Sequence, residues 1–393
     1  MIYLDNSATT RQFDEVTEYI ASVSKEHFGN PSSMHMAGVD AEKTVKESAQ
    51  IIADILKADP KEIVFTSGGT ESDNLALIGC ARANRRKGMH LITTRTEHPA
   101  VLDTMKYLSG EGFDVTYLDV DSSGRVRPET LTAALCDETI LVSVMHVNNE
   151  IGSVNDIETL AGIVKSYDPS ITFHTDAVQS FGKMTIHPKK MNVDLVSVSA
   201  HKIHGPKGVG FLYINDKTKI TPVLFGGGQQ KGMRSGTENV PGIAGFSRAA
   251  AIAYERLSEN TQKLFELKSY FVSELLQLSN VTVNGLPEGF EDDADAAIQK
   301  TAPHIISASF ADVRAEVLLH ALESKGIYVS SGSACSSNRP AKSATLTAIG
   351  LDTKMLDATI RFSMSVETTK EELEETLFVL SEELPKLRRY LRR

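Results

Sequence analysis

Cysteine is scarce in this chain and never paired. Its 393 residues hold three, Cys80, Cys136 and Cys335, far apart and with no CxxC among them. A disulfide framework and a cysteine-ligated metal site are therefore not expected. Few cysteines in a long chain suit a reducing cytosol. Positive charge is in deficit: 41 basic against 51 acidic residues leave a net charge of −10. That balance is a poor match to nucleic acid or to an anionic membrane surface. No stretch approaches the ~18 consecutive apolar residues of a membrane span. The opening MIYLDNSATT carries Asp5 and no basic region before an apolar run, so no secretory signal is expected and the cytoplasm is the expected location. Internal repeats and low-complexity linkers are also lacking.

What is present is enough apolar material for a large core, 41% of residues. The length suits two or three domains. Short β-branched runs alternate with helix-period segments between residues 40 and 215: IVF (63–65), HLITT (90–94), VTYL (115–118), ILVSVMH (140–146), ITFHTD (171–176), DLVSVSA (194–200) and GVGFLYI (208–214). This alternation predicts an α/β layer with a mostly parallel sheet. A Gly-rich stretch, GGGQQKGMRSGTE (226–238), closes that half. One long helical pattern follows over 242–277, then a shorter mix of strands (306–310, 327–330, 360–365) and helices. The expected division is a large domain over 12–258 and a smaller α+β domain formed by 1–11 and 259–393.

In parallel sheets ligands sit beyond the carboxyl ends of strands. Three such places carry candidate chemistry. Lys202, in SAHKIHGPKGVG (199–210), stands just past a strand end, where a lysine in a cleft can form a Schiff base. It also reads as an ordinary solvated loop lysine. TSGGTESDN (66–74) can cradle a phosphate on glycines and a helix start, or be no more than a helix capped by Thr70 with Asp73 at the third position. Asp176 can cap a helix, bind a metal, or pair with a protonated ring nitrogen. Pyridoxal phosphate requires a phosphate cradle, a Schiff-base lysine and a pyridinium partner together. His201 and His204 stand three apart without a nearby carboxylate or thiolate, so no metal is expected. SSGSACSSNRP (330–340) has no period that would bury Cys335, so an exposed reactive thiol on a mobile loop is expected there. Cys80 and Cys136, the latter placed on a helix with Leu131–Leu135, read as filler. The basic tip KLRRYLRR (386–393) reads as complementing a helix C-terminus.

Several of these segments resemble the cysteine desulfurases, pyridoxal-phosphate enzymes of the class V aminotransferase group. The matching pieces include YLDNSATT (3–10), FTSGGTESDN (65–74), EHPAV (97–101), VNNEIG (147–152), HTDAVQ (174–179), SAHKIHGPKGVG, GGGQQKGMRSGTENVP (226–241), SSGSACSS (330–337) and IRFS (360–363). The cysteine segment resembles the longer-loop group serving iron–sulfur assembly or nitrogenase maturation. The resemblance implies the type I pyridoxal-phosphate transferase fold and pyridoxal 5′-phosphate as cofactor. It implies Lys202 as the Schiff-base lysine, Asp176 on the pyridine nitrogen, Gln179 on the ring hydroxyl and His98 stacked on the ring with a share in proton transfer. Gly69, Thr70, Ser199, His201 and Thr237 would hold the phosphate, Thr237 reaching in from the second subunit of a homodimer. Asn149, beside the cofactor, and Arg361 would bind the substrate carboxylate. Cys335 would take sulfur from L-cysteine as a persulfide, leaving alanine, for delivery to an acceptor such as an iron–sulfur scaffold. A selenocysteine lyase or another class V enzyme is the alternative. The chain departs from the common pattern at Ser7, Gly69 and His204, none of which removes a reactive group.

Overall fold

The computed structural model describes residues 1–331 and 342–391. Cys335 and the expectation of an exposed, mobile loop around it lie outside the described residues.

In chain order the strands are β1 (Ile2–Tyr3), β2 (Ile63–Thr66), β3 (His90–Thr94), β4 (Asp114–Leu118), β5 (Thr139–Ser143), β6 (Thr172–Asp176), β7 (Leu195–Ser199), β8 (Gly210–Ile214), β9 (Val281–Asn284), β10 (Ile305–Phe310), β11 (Ile327–Tyr328), β12 (Ser330–Ser331) and β13 (Thr359–Ser363). The first eight helices are α1 (Asp14–Glu26), α2 (Met36–Leu56), α3 (Gly69–Asn84), α4 (Pro99–Gly110), α5 (Pro128–Ala134), α6 (Ile157–Tyr167), α7 (Val240–Glu255) and α8 (Leu257–Gln277).

Seven strands form one sheet in the order β2-β8-β7-β6-β5-β3-β4. All run parallel except β8, which is antiparallel to both of its neighbours. Successive side chains on a strand point to opposite faces, and here both faces are covered. Ile92, Val142, Phe173, Val196 and Phe211 join a core with residues of α2 and α6. Their neighbours Leu91, Leu141, Leu195 and Leu212 join a second core with α3 and α4. Double-sided burial is why these strands read as continuous apolar runs. Each fully buried Leu or Phe contributes roughly 1.5–3 kcal/mol.

The second sheet, β12-β13-β10-β9, is antiparallel. Its core gathers Phe271, Phe310, Phe362, Leu318 and Leu380. The Phe271 and Phe362 rings meet edge to face at 5.2 Å. The N-terminal segment joins this side: β1 pairs in parallel with β11, Leu4 enters the same core, and Asp5 bridges to Ser363.

Four sequence expectations need correction. The helical pattern over 242–277 is two helices, broken at Arg256 (φ −117°, ψ 27°). Ile243, Phe246, Ala249 and Ala250 of α7 serve the large-sheet core, whereas Leu264, Leu267 and Phe271 of α8 serve the small one. One straight helix cannot face both. Strand β5 stops at Ser143, three residues before the predicted end. The predicted strand 327–330 is divided between two sheets. Helix α5 ends at Ala134, so Cys136 lies beyond it, exposed, with Sγ 3.3 Å from His90 Nδ1.

Candidate active site

The carboxyl ends of β2, β3, β5, β6 and β7 open on one cavity of about 400 Å³. Ten of the residues singled out from the sequence line it: Gly69, Thr70, His98, Asn149, Asp176, Gln179, Ser199, His201, Lys202 and Arg361. Thr237 is exposed and does not line it, and Cys335 lies outside the described residues.

Helix α3 begins at the cavity in a different way from the capped start the sequence allows. Its N-cap is Gly68, at φ 150°, a conformation an L side chain rarely adopts. Thr70 is therefore inside the first turn. Gly210, on β8, lets this turn come close: a Cβ there would stand 2.7 Å from Gly68 Cα. The first backbone N–H groups of a helix have no intrahelical partner and carry its positive pole, so the turn presents Gly69 and Thr70 to an anion. Glu71 ties the turn down, accepting from Ser67 N at 2.7 Å and from Arg234 Nε at 2.8 Å. Asp73, expected as part of a cap, is instead buried one turn further in and lines the cavity.

Asp176 ends β6 and accepts from Val178 N at 2.9 Å. Burial raises its carboxyl, against the pull of His98 and Lys202. Burial, with the charge of Asp176, raises Asp73 well above the carboxylate range. Two such carboxyls cannot both hold charge cheaply. The proton belongs on Asp73, whose Oδ1 has no hydrogen-bond partner among the described residues, leaving the anion on Asp176 near the amine of Lys202 and the ring of His98. His174 stands 3.6 Å from Asp73, but burial drives its ring down to about 3, so the contact is no ion pair.

His98 caps α4 through Nδ1, which accepts from Ala100 N at 3.1 Å. Burial lowers its ring, so the neutral form keeps its proton on Nε2. Lys202 Nζ donates to Ser7 O at 2.5 Å and to Ala8 O at 2.7 Å. Lys183 Nζ in turn donates to Lys202 O at 2.8 Å. Arg361 spans the opposite wall, giving Nη1 to Asn149 O at 2.9 Å and Nη2 to Asp5 Oδ1 at 2.7 Å. His201 lies between Thr9 Oγ1, at 3.2 Å, and the cavity, and burial lowers its ring to about 4. His204 faces elsewhere, stacked on Phe13 at 4.1 Å.

Sequence reasoning gave no role here to Asp5, Ser7, Glu97, Lys183 and His304, and read Asp73 only as part of a helix cap. Asp5, Ser7, Asp73 and Glu97 lay inside quoted motifs; for half-buried Lys183 and buried His304 the sequence carried no signal beyond a polar residue near a strand end.

This donor set fits pyridoxal 5′-phosphate. It offers an anion-binding helix start, a carboxylate poised to hold a ring N–H, and an amine that can condense with a carbonyl. Ser7 Oγ, Asp73 Oδ1 and Arg361 Nε, all buried on residues lining the cavity, have no hydrogen-bond partner among the described residues, as suits a polar ligand.

Comparison with known proteins agrees. Residues 2–376 match the family model described as aminotransferase class-V. The chain is 44% identical to the cysteine desulfurase IscS of Dictyoglomus turgidum over 388 residues, covering 98% of this chain and 95% of that one. It is 43% identical to the IscS of Methanosarcina thermophila, covering 98% and 93%. Among solved structures, a NifS-like protein superposes with a TM-score of 0.90 at 40% identity, covering 98% of this chain and all (100%) of that one. With matching sequence, matching fold and a cavity suited to the cofactor this group uses in general, the chain belongs to the aminotransferase class-V family.

Proposed function

We infer that the protein is a cysteine desulfurase. The observation that carries this reading is the meeting of Lys202, Asp176, His98 and Arg361 around one cavity, in a chain 44% identical to a cysteine desulfurase over nearly its whole length. Gly69, Thr70, Ser199 and His201 hold the cofactor phosphate, and Gln179 approaches the ring hydroxyl. Bound there, pyridoxal 5′-phosphate supplies the electron sink that stabilises negative charge at the substrate Cα. Asp176 holds the proton on the ring nitrogen. Arg361, with Asn149, orients the carboxylate of L-cysteine through its planar fork. The Lys202 amine moves the Cα proton, and His98 Nε2 stands ready as a second proton carrier. The Cys335 thiolate then attacks the substrate sulfur. The C–S bond breaks as an S–S bond forms, so L-cysteine and the thiol become L-alanine and a Cys335 persulfide. This sulfur serves an acceptor protein such as an iron–sulfur scaffold.

Two further parts belong to this reading. The chain divides into a cofactor domain, 12–258, and a smaller domain, 1–11 with 259–393. It works as a cytoplasmic homodimer in which Thr237, exposed in its own subunit, completes the partner's phosphate site. Among the described residues no helix is long and apolar enough to cross a membrane.

The test is to incubate the holoenzyme with L-cysteine, measure alanine, and map the persulfide by mass spectrometry. Alanine in step with a persulfide on Cys335 is expected. Alanine formed with the persulfide elsewhere, or no alanine, overturns the reading.

A further inference from the structure

We propose that His304 is a positioning residue for Gln179, donating a hydrogen bond that turns the Gln179 amide so that only an N–H faces the cofactor. The inference rests on the reading of Gln179 as the group that meets the cofactor ring hydroxyl. His304 lies just before β10, on the small-sheet side, and is 1% exposed. Its Nε2 stands 3.3 Å from Gln179 Oε1. Its backbone is fixed by Met364 N, which donates to His304 O at 2.8 Å.

The orientation of the amide follows from its other partner. Gln179 Nε2 lies 3.0 Å from the backbone oxygen of Ser7. A carbonyl oxygen only accepts, so the amide nitrogen must be on that side. Oε1 then faces His304, and His304 must be the donor. The ring has one proton to place, because burial and the surrounding Lys183, Lys268, Arg361 and Lys202 hold it well below the usual histidine range. A proton on Nδ1 would leave a buried N–H with no acceptor, since Nδ1 has no hydrogen-bond partner among the described residues. It would also set the Nε2 lone pair against those of Oε1. The proton on Nε2 removes both penalties.

The consequence for the cavity is specific. With Oε1 taken by His304 and one amide hydrogen taken by Ser7, the group Gln179 still has to offer is the second Nε2–H. That hydrogen suits an anionic oxygen on the cofactor and repels a donor there. A residue of the small-sheet side thereby sets the polarity of a residue on the large sheet, and the cradle is complete only when the two sides are packed together.

The test uses purified protein with pyridoxal phosphate as the probe, titrated into the cofactor-free form. His304→Leu should weaken binding about threefold to tenfold, the range of one lost neutral hydrogen bond. His304→Gln, which keeps an N–H donor, should bind within about twofold of wild type by the same reasoning. In a Gln179→Ala background, His304→Leu should cause no further loss, because the partner it orients is gone. Equal losses in both backgrounds, or a His304→Gln protein as weak as His304→Leu, would overturn the proposal in favour of plain packing. If Gln179→Ala weakens binding and His304→Leu does not, only the role of His304 falls. If Gln179→Ala binds as wild type, the assignment of Gln179 falls and this inference with it. Nitrogen-15 histidine spectra of the wild-type holoenzyme give a reading free of any folding defect. The resonance missing from His304→Gln should be an Nε2–H tautomer, and an Nδ1–H tautomer would refute the assignment.

Discussion

Along one wall of the cavity, Asp176, Ser199 and Lys202 stand within three residues of the strand ends that place them. Along the other, Arg361 meets Asp5 across 356 positions of sequence, and Gln179 meets Ser7 across 172. The first wall is built by one sheet, on backbone that the pairing of β6 and β7 sets. The second exists only when the N-terminal segment and the small sheet pack against the large one. The proposed chemistry divides in the same way. Groups that move protons belong to the sheet wall, the arginine that grips the substrate carboxylate belongs to the packed wall, and the cofactor is held from both, with Gln179 tied to the packed side through Ser7. Turnover and substrate affinity should therefore respond to different substitutions.

The largest effect is expected on the sheet wall. Lys202→Ala should lower alanine production by at least ~10²–10⁴-fold, the range for losing a positioned acid–base group. Because Lys202 Nζ also holds Ser7 O and Ala8 O, the N-terminal segment should become easier to cleave with protease. A Lys202→Ala protein with turnover near wild type would remove the reason for treating this wall as the chemical one.

Arg361→Lys tests the packed wall. Lysine keeps the charge and can still reach Asp5 but loses the planar fork that also holds Asn149 O. KM for L-cysteine should rise roughly tenfold to a hundredfold while kcat changes by only a few-fold, the mark of binding lost equally from ground and transition states. A matching fall in kcat would mean that the two walls act as one unit.

The same comparison explains what could be read from the sequence. Strands β2 to β8 and the residues after them were legible because double-sided burial leaves continuous β-branched runs with polar residues at their ends. Arg361 was reachable only through resemblance, since nothing local links a strand arginine to Asp5. Asp73 was misplaced for a related reason. Its spacing from Thr70 suits a cap, and only the φ of Gly68 shows that the helix starts earlier. The break at Arg256 was hidden because α7 and α8 each keep helical periodicity while serving different cores.

A smaller effect sharpens the electrostatic side of the sheet wall. Glu97 accepts from Thr94 Oγ1 and Met145 N, both at 2.8 Å, while burial pushes its carboxyl from 4.5 to about 8. Its folded value lies above its unfolded one. Its stabilising contribution is therefore complete below about pH 4.5 and is lost as pH rises through about 8. Glu97→Gln keeps the accepting oxygen and cannot ionise. Urea midpoints at pH 5 and pH 8 should show wild type losing more stability over that interval than Glu97→Gln. Parallel losses would mean that Glu97 is ionised in the fold.

The smallest effects are expected at the two cysteines away from the cavity, and they separate burial from exposure without touching either wall. Cys80 is 0% exposed among Leu77, Ala76 and Ala81 on the α3 face of the large sheet, and burial pushes its thiol up to about 11. It is inert at neutral pH because the thiolate is the reactive form. Cys80→Ala removes one buried atom and should cost ~1–2 kcal/mol in urea unfolding with alanine production unchanged. Cys136 is exposed beyond α5, where Sγ touches His90 and Thr139. Those two side chains are already bonded to each other at 2.8 Å and lose nothing essential when the sulfur goes. Cys136→Ala should stay within about 0.5 kcal/mol of wild type. Neither substitution should lower persulfide formation. If Cys136→Ala abolished it, sulfur would be passing through a surface far from the strand ends, and the cavity could not be its only route out.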